Sequence, residues 1–126
     1  MNKDPEQICI LIVDDDPDLL EMYKGVVAID GVKTLTAKSG REAMDICKNN
    51  PGIRVIVSDS NMGEMSGMEL LKYLIGYYQT MPVFYLLTGA FDISEDEVKK
   101  AGGAGLFPKP FDLDDFLERM KKDINL

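Results

Sequence analysis

Ile8-Cys9-Ile10-Leu11-Ile12-Val13-Asp14-Asp15-Asp16-Pro17 decides the fold of this chain. Its six leading residues are apolar without polar alternation, which suits a strand buried on both faces, the setting of a parallel sheet. The run breaks at three aspartates, and Asp16-Pro17 reads as a helix start, an N-cap residue followed by proline at the first helical position. A buried strand thus hands over directly to a helix, with Asp14 and Asp15 at the junction. The handover recurs along the chain. Ile53-Arg54-Val55-Ile56-Val57-Ser58 stops at Asp59, Val83-Phe84-Tyr85-Leu86-Leu87 at Thr88, and Gly105-Leu106-Phe107-Pro108 at Lys109. In an open parallel sheet, ligands bind beyond the carboxyl ends of the strands. If these runs are parallel neighbours, three carboxylates, a hydroxyl and an ammonium converge on one pocket.

Segments of helical periodicity separate the runs. Leu19, Met22, Tyr23, Val26 and Val27 fall on one face of the first, which Asp30-Gly31 ends. Ser39…Glu42, Ser66…Glu69 and Ser94…Glu97 each fit a Ser-x-x-Glu capping box, in which each side chain satisfies the other's free backbone N–H. Asp112…Asp115 is an acidic echo before Phe116, Leu117 and Met120. Val32-Lys33-Thr34-Leu35-Thr36 is a shorter, more polar strand, as expected at a sheet edge. The order βαβαβαβαβα predicts right-handed crossovers and an α/β, doubly wound, five-stranded parallel sheet. A single domain is expected over residues 1–126, with Met1 to Gln7 a loose N-terminus and no output domain in this chain.

Composition narrows the chemistry. With 126 residues and 45% hydrophobic content, the chain can bury a real core. A net charge of −8 disfavours direct nucleic-acid binding or an anionic membrane surface. No apolar run approaches a bilayer span and Met1-Asn2-Lys3-Asp4 is no signal peptide, so a cytoplasmic protein without membrane contact is expected. Cys9 and Cys47 read as buried free thiols. There is no histidine. That excludes Ser-His and Cys-His nucleophile pairs and any imidazole metal site, and points any metal toward oxygen ligands and a hard cation such as Mg²⁺.

Asp16 and Asp18 suit capping and the helix dipole. Asp14 and Asp15 precede the helix; adjacent carboxylates there repel unless a cation intervenes, and Mg²⁺ commonly takes one or two carboxylates. Singly, Asp59 is an ordinary loop start, Thr88 a strand former and Lys109 a solvated lysine. Together, at the ends of alternating strands, they are not ordinary. Pro108 and Pro110 bracket Lys109 and fix its backbone direction, and the Lys109-Pro110 bond is a candidate cis peptide.

As a set, Ile12-Val13-Asp14-Asp15, Asp59 with Asn61-Met62 and Met65-Ser66-Gly67, Thr88, and Phe107-Pro108-Lys109-Pro110-Phe111 resemble the receiver domains of bacterial two-component response regulators, typified by the chemotaxis response regulator. The likeness runs from Ile8 to the last helix. It implies a flavodoxin-like (βα)5 fold with strand order 2-1-3-4-5. It implies that Asp59 is the phosphoacceptor, forming an acyl phosphate. Mg²⁺ would be held by Asp15, Asp59 and the backbone carbonyl of Asn61, with Asp14 helping through water. Lys109 and Thr88 would stabilise the phosphoryl group. Thr88 and Phe107 would form the switch, Phe107 swinging inward, while Asn61 and Ala90 tune dephosphorylation. The implied donor is a phosphohistidine on a sensor histidine kinase or histidine phosphotransfer protein, necessarily another chain since this one has no histidine. Output would pass to a downstream protein partner or to an output domain missing from this chain. Such a protein promotes only its own phosphoryl transfer and autodephosphorylation, so it is not expected to be an enzyme.

Three departures stand out: Gly63 where proline is usual, expected to loosen the loop; Ser66 for a frequent Asp; and Gly89 for a common Ala. Competing readings are a receiver-like interaction module that is not phosphorylated, a haloacid-dehalogenase-type phosphatase and a flavodoxin-like electron carrier. The phosphatase would need an Asp-x-Asp-x-Thr nucleophile motif and cap insertions. The electron carrier would need a Ser/Thr/Gly-rich phosphate loop where Asp14-Asp15-Asp16 stands. By the same resemblance, the fourth helix, the strand near Phe107 and the last helix form the partner surface, where Lys99, Lys100, Arg119, Lys121 and Lys122 concentrate positive charge.

Overall fold

Strands and helices alternate without exception in the computed structural model, which describes residues 8–26, 31–89, 93–109 and 112–125 (Val26 by its backbone alone). They are β1 Ile8–Val13, α1 Pro17–Val26, β2 Val32–Ala37, α2 Gly40–Asn49, β3 Ile53–Asp59, α3 Gly67–Tyr77, β4 Val83–Thr88, α4 Glu95–Lys100, β5 Gly105–Pro108 and α5 Leu113–Asp123. All pairings are parallel, in the order β2-β1-β3-β4-β5. The chain winds outward from β1 to β2, then crosses to β3 and proceeds the other way. Such a reversal opens a crevice at the carboxyl ends of β1 and β3.

The unalternating apolar runs are explained by two cores, one on each face. Ile10 and Ile12 of β1 pack with Leu20 and Tyr23 of α1 and Phe116 and Met120 of α5. Leu11 and Val13 pack with residues of α2, α3 and α4 on the opposite face. A strand with helices on both sides needs apolar residues at every position. β2 is an edge strand and only partly buried, as its polar sequence predicts, although it is as long as β1.

Ser66 and Ser94 make complete capping boxes. Ser39 does not. Its hydroxyl accepts the Glu42 N–H at 3.0 Å, but the Glu42 carboxylate accepts the N–H of Lys38 at 2.6 Å instead of that of Ser39. Ser39 is fully extended, φ −156°, where Ser66 and Ser94 have φ −79° and −98°. The extra extension swings its own N–H out of reach. Asp112 caps α5 by accepting from the Asp115 N–H. Both cysteines are free; Cys47 is buried, and Cys9 only partly so, less than expected. No helix among the described residues is long and apolar enough to cross a membrane. Met1 to Gln7, Val27, Asp30, Ala90, Pro110 and Phe111 lie outside the described residues.

Candidate functional site

The carboxyl ends of β1, β3, β4 and β5 bring the predicted residues together. Asp14 continues β1, its N–H donating to the Ala37 carbonyl at 3.0 Å, and its side chain is 1% exposed. One carboxylate oxygen, Oδ1, accepts the Asp16 N–H at 3.0 Å. The other, Oδ2, is buried and has no hydrogen-bond partner; the Lys109 ammonium is 3.5 Å away, at ion-pair range only. Asp15 follows, exposed at the rim. Asp16 caps α1, accepting from the N–H groups of Asp18 and Leu19.

Asp59 ends β3 and is 6% exposed, with its Oδ1 3.0 Å from Lys109 Nζ. Carboxylate oxygens of Asp14, Asp15 and Asp59 all lie within 4.8 Å of one another. Thr88 ends β4, buried at 5% exposure, and its carbonyl accepts the Lys109 N–H at 3.0 Å. That bond carries the β4–β5 ladder one step past the strand and aims the lysine across the pocket. Asn61 lies exposed on the loop after β3.

Local sequence explains the loop. The Ser58 hydroxyl donates to the Asp59 carbonyl at 3.0 Å and meets the Met62 sulfur at 3.8 Å, so the loop is pinned by its own buried methionine. Gly63 has φ +77°. A proline here is locked near −65° and could not adopt this turn, so the glycine shapes the loop through its backbone angle. Gly67 donates to the Ser60 carbonyl at 3.1 Å, and any side chain there would strike the Asp59 carbonyl. Only glycine lets α3 start against the end of β3.

The electrostatics are lopsided. Three carboxylates face one ammonium among the described residues. Burial pushes the Asp14 carboxyl above its ordinary value and the Asp59 charge adds to this, against the pull of the Asp16 N–H and Lys109. Lys109 moves up as well: burial alone would lower it, but the hydrogen bond and charge of Asp59 and the charge of Asp14 outweigh that. A surplus of buried negative charge, with one oxygen unsatisfied, suits a hard divalent cation.

Sequence reading missed Tyr23, buried on α1, whose phenol burial pushes up and which senses the charges of Lys109, Asp14 and Asp59. Its spacing marks it as part of the apolar face of α1 and does not link it to the pocket. Phe107, expected to swing inward as part of the switch, is buried in this structure. It is 6% exposed, its ring 5.0 Å from that of Tyr85 and 5.8 Å from that of Phe116, edge-on to both.

Residues 10–121 match the response regulator receiver domain family. The chain belongs to that family. Among curated relatives, this receiver domain is 29% identical over 112 residues to the transcriptional regulatory protein KdpE of Mycobacterium tuberculosis, covering 89% of this chain and 49% of that protein. It thus spans about half the length of that relative. Among solved structures, a response regulator receiver domain protein from Clostridium thermocellum is 30% identical with a TM-score of 0.86, each chain covered to 94%. The receiver domain of a Saccharomyces cerevisiae response regulator, crystallised with a histidine phosphotransfer signalling protein, shares the fold at 20% identity, with a TM-score of 0.80 and coverage of 93% of this chain and 88% of that one.

Proposed function

We propose that this receiver domain is a phosphorylation-controlled switch: Asp59 accepts a phosphoryl group from a phosphohistidine, and the partner-binding surface changes in response. The observation that carries the reading is the Lys109 ammonium 3.0 Å from Asp59 in a pocket where three carboxylates meet. An Asp59 carboxylate oxygen attacks phosphorus in line. The new O–P bond forms as the P–N bond to the donor imidazole breaks, its electron pair leaving with the nitrogen. Lys109, already directed at the acceptor, stabilises the equatorial oxygens as charge builds there. Thr88, beside it at the end of β4, offers its hydroxyl to a phosphoryl oxygen.

The unsatisfied Asp14 Oδ2 and the crowded carboxylates fit Mg²⁺, with Asp14, Asp15, Asp59 and the Asn61 carbonyl as its holders. Bound Mg²⁺ supplies positive charge to the phosphoryl oxygens. Asn61, two residues after Asp59, and Ala90, two residues after Thr88, tune how long the group survives. These 126 residues contain no histidine, so the donor imidazole lies outside the domain, on a sensor histidine kinase or phosphotransfer protein. The yeast complex supports a donor of that kind. The domain modifies only itself, in the cytoplasm, and passes its state to a downstream protein or an output domain.

Hydroxylamine converts an acyl phosphate to a hydroxamate and leaves ordinary carboxylates alone. After incubation with acetyl phosphate and Mg²⁺, peptide mapping is expected to find the hydroxamate at Asp59. Its appearance at Asp14 or Asp15, or nowhere, overturns the assignment.

A further inference from the structure

β5 is held by the sheet on one side only. It pairs with β4 from Tyr85↔Gly105 to Thr88↔Pro108 and forms the edge of the sheet. Edge strands leave backbone groups in need of partners. Here an ion pair supplies them. Glu95, first residue of α4, accepts the Leu106 N–H at 3.1 Å, and the same oxygen takes Arg119 Nη1 at 2.8 Å. Arg119 reaches across from α5 and donates through Nη2 to the Ala104 carbonyl at 2.7 Å, while its Nε lies 3.6 Å from Asp123 Oδ2. The guanidinium also covers two rings, 5.8 Å from the centroid of Tyr85 and 5.9 Å from that of Phe107. Gly105 makes room for it: a Cβ there would lie 2.6 Å from Arg119 Cζ.

One side chain therefore touches α4, β4, β5 and its own helix. β5 is four residues long, and the residue that follows it is Lys109. Where the ammonium sits depends on how β5 and the Phe107 ring are seated. We propose that Arg119 is a positioning residue for phosphoryl transfer, clamping β5 and the buried Phe107 so that Lys109 stays within reach of Asp59. The kinetic part of this inference rests on the proposed function; the structural part does not. The rigid fork of arginine lets one side chain meet a carboxylate and a carbonyl while its guanidinium sits beside two rings, which the single ammonium of a lysine cannot do.

The test compares Arg119→Gln, Arg119→Lys and Gly105→Ala with the wild type, at a temperature where circular dichroism shows all four folded. Gly105→Ala keeps the charge and displaces the guanidinium, so it separates clamping from electrostatics. Two quantities are read: the rate of phosphorylation by acetyl phosphate with Mg²⁺, and hydrogen exchange of the Lys109 amide, which is bonded to Thr88. The rate is expected to fall on the order of ten- to a hundredfold in all three variants, as misplacement of a distant support can cause. Lys109 amide exchange should rise in step, with little rescue by lysine. Folded variants that react at the wild-type rate, or lose rate with the Lys109 amide still protected, overturn the clamp. A wild-type chain that takes up no phosphoryl group refutes the proposed function instead, and exchange at Lys109 then decides the clamp alone.

Discussion

Asp14, Asp15 and Asp59 set three carboxylates against the one ammonium of Lys109, whereas Arg119 sits between Glu95 and Asp123 with backbone groups completing its shell. The two clusters hold the same kinds of groups. The first is more deeply buried, yet it leaves Asp14 Oδ2 without a hydrogen bond. In the second, Tyr85 donates to Asp123 at 2.6 Å, and the Glu95 oxygen bonded to Arg119 also accepts a strand N–H. Buried charge short of partners costs stability, and its place in a fold is explained by a ligand that completes it. A closed network at the edge of the same sheet is explained by what it holds still.

The largest effect that would break this contrast is kinetic. Lys109→Met removes the only cation directed at Asp59 among the described residues, and transfer from acetyl phosphate should slow on the order of a hundredfold or more. A rate within a fewfold of wild type would mean that the pocket does not use its ammonium. Next, Tyr85→Phe deletes the hydroxyl from the closed network and should cost about 1–2 kcal/mol in urea unfolding, because a buried ring loses its bond to Asp123. Asp14→Asn should act in the opposite direction, stabilising the metal-free fold while impairing phosphorylation, because it removes a buried charge whose Oδ2 has no hydrogen-bond partner. Millimolar Mg²⁺ should raise the wild-type melting temperature by mass action, and Asp15→Asn should abolish that gain.

The pH dependence sharpens the same comparison, because the two clusters have opposite signs. Asp14 has a folded pKa raised chiefly by burial. It burdens the fold once pH exceeds the ordinary carboxylate value, fully so above its raised folded value, and acid relieves the burden. Glu95 has a folded pKa lowered chiefly by its bond from Arg119. Its contribution is present above the ordinary carboxylate value and is lost as pH falls through the lower folded one. The advantage of Asp14→Asn over wild type should therefore vanish on mild acidification, while the cost of Glu95→Gln persists to lower pH. Parallel pH curves for the two variants would contradict this. The smallest effect belongs to the caps: Ser66→Ala and Ser39→Ala should each cost about 1 kcal/mol, since each hydroxyl accepts the N–H three residues on, whereas Glu69→Ala should cost more than Glu42→Ala only if closing the box on the cap's own N–H matters.

Most of the fold was legible because burial and local geometry write themselves into neighbouring residues. The run Ile8–Val13 needs apolar side chains on both faces, and Ser66 with Glu69 marks a helix start within four residues. The pocket was legible for the same reason, since each of Asp14, Asp59, Thr88 and Lys109 directly follows or ends a strand. Arg119 was not. Among five cations assigned to a partner surface, it alone turns inward across the sheet edge, and its partners Glu95, Ala104 and Tyr85 are distant in sequence. Gly105 carried the signal, a glycine inside a strand marking close approach of another group, but it does not say which group comes near. The Ser39 box failed on a backbone angle that its sequence does not encode.

Intact mass after incubation with acetyl phosphate tests the central claim most directly, run with and without Mg²⁺ and beside Asp59→Asn. The account predicts one labile phosphoryl adduct in the wild type with Mg²⁺ and none in either control. An adduct that survives Asp59→Asn, or no adduct under any condition, would contradict it and leave a receiver fold that acts through contact alone.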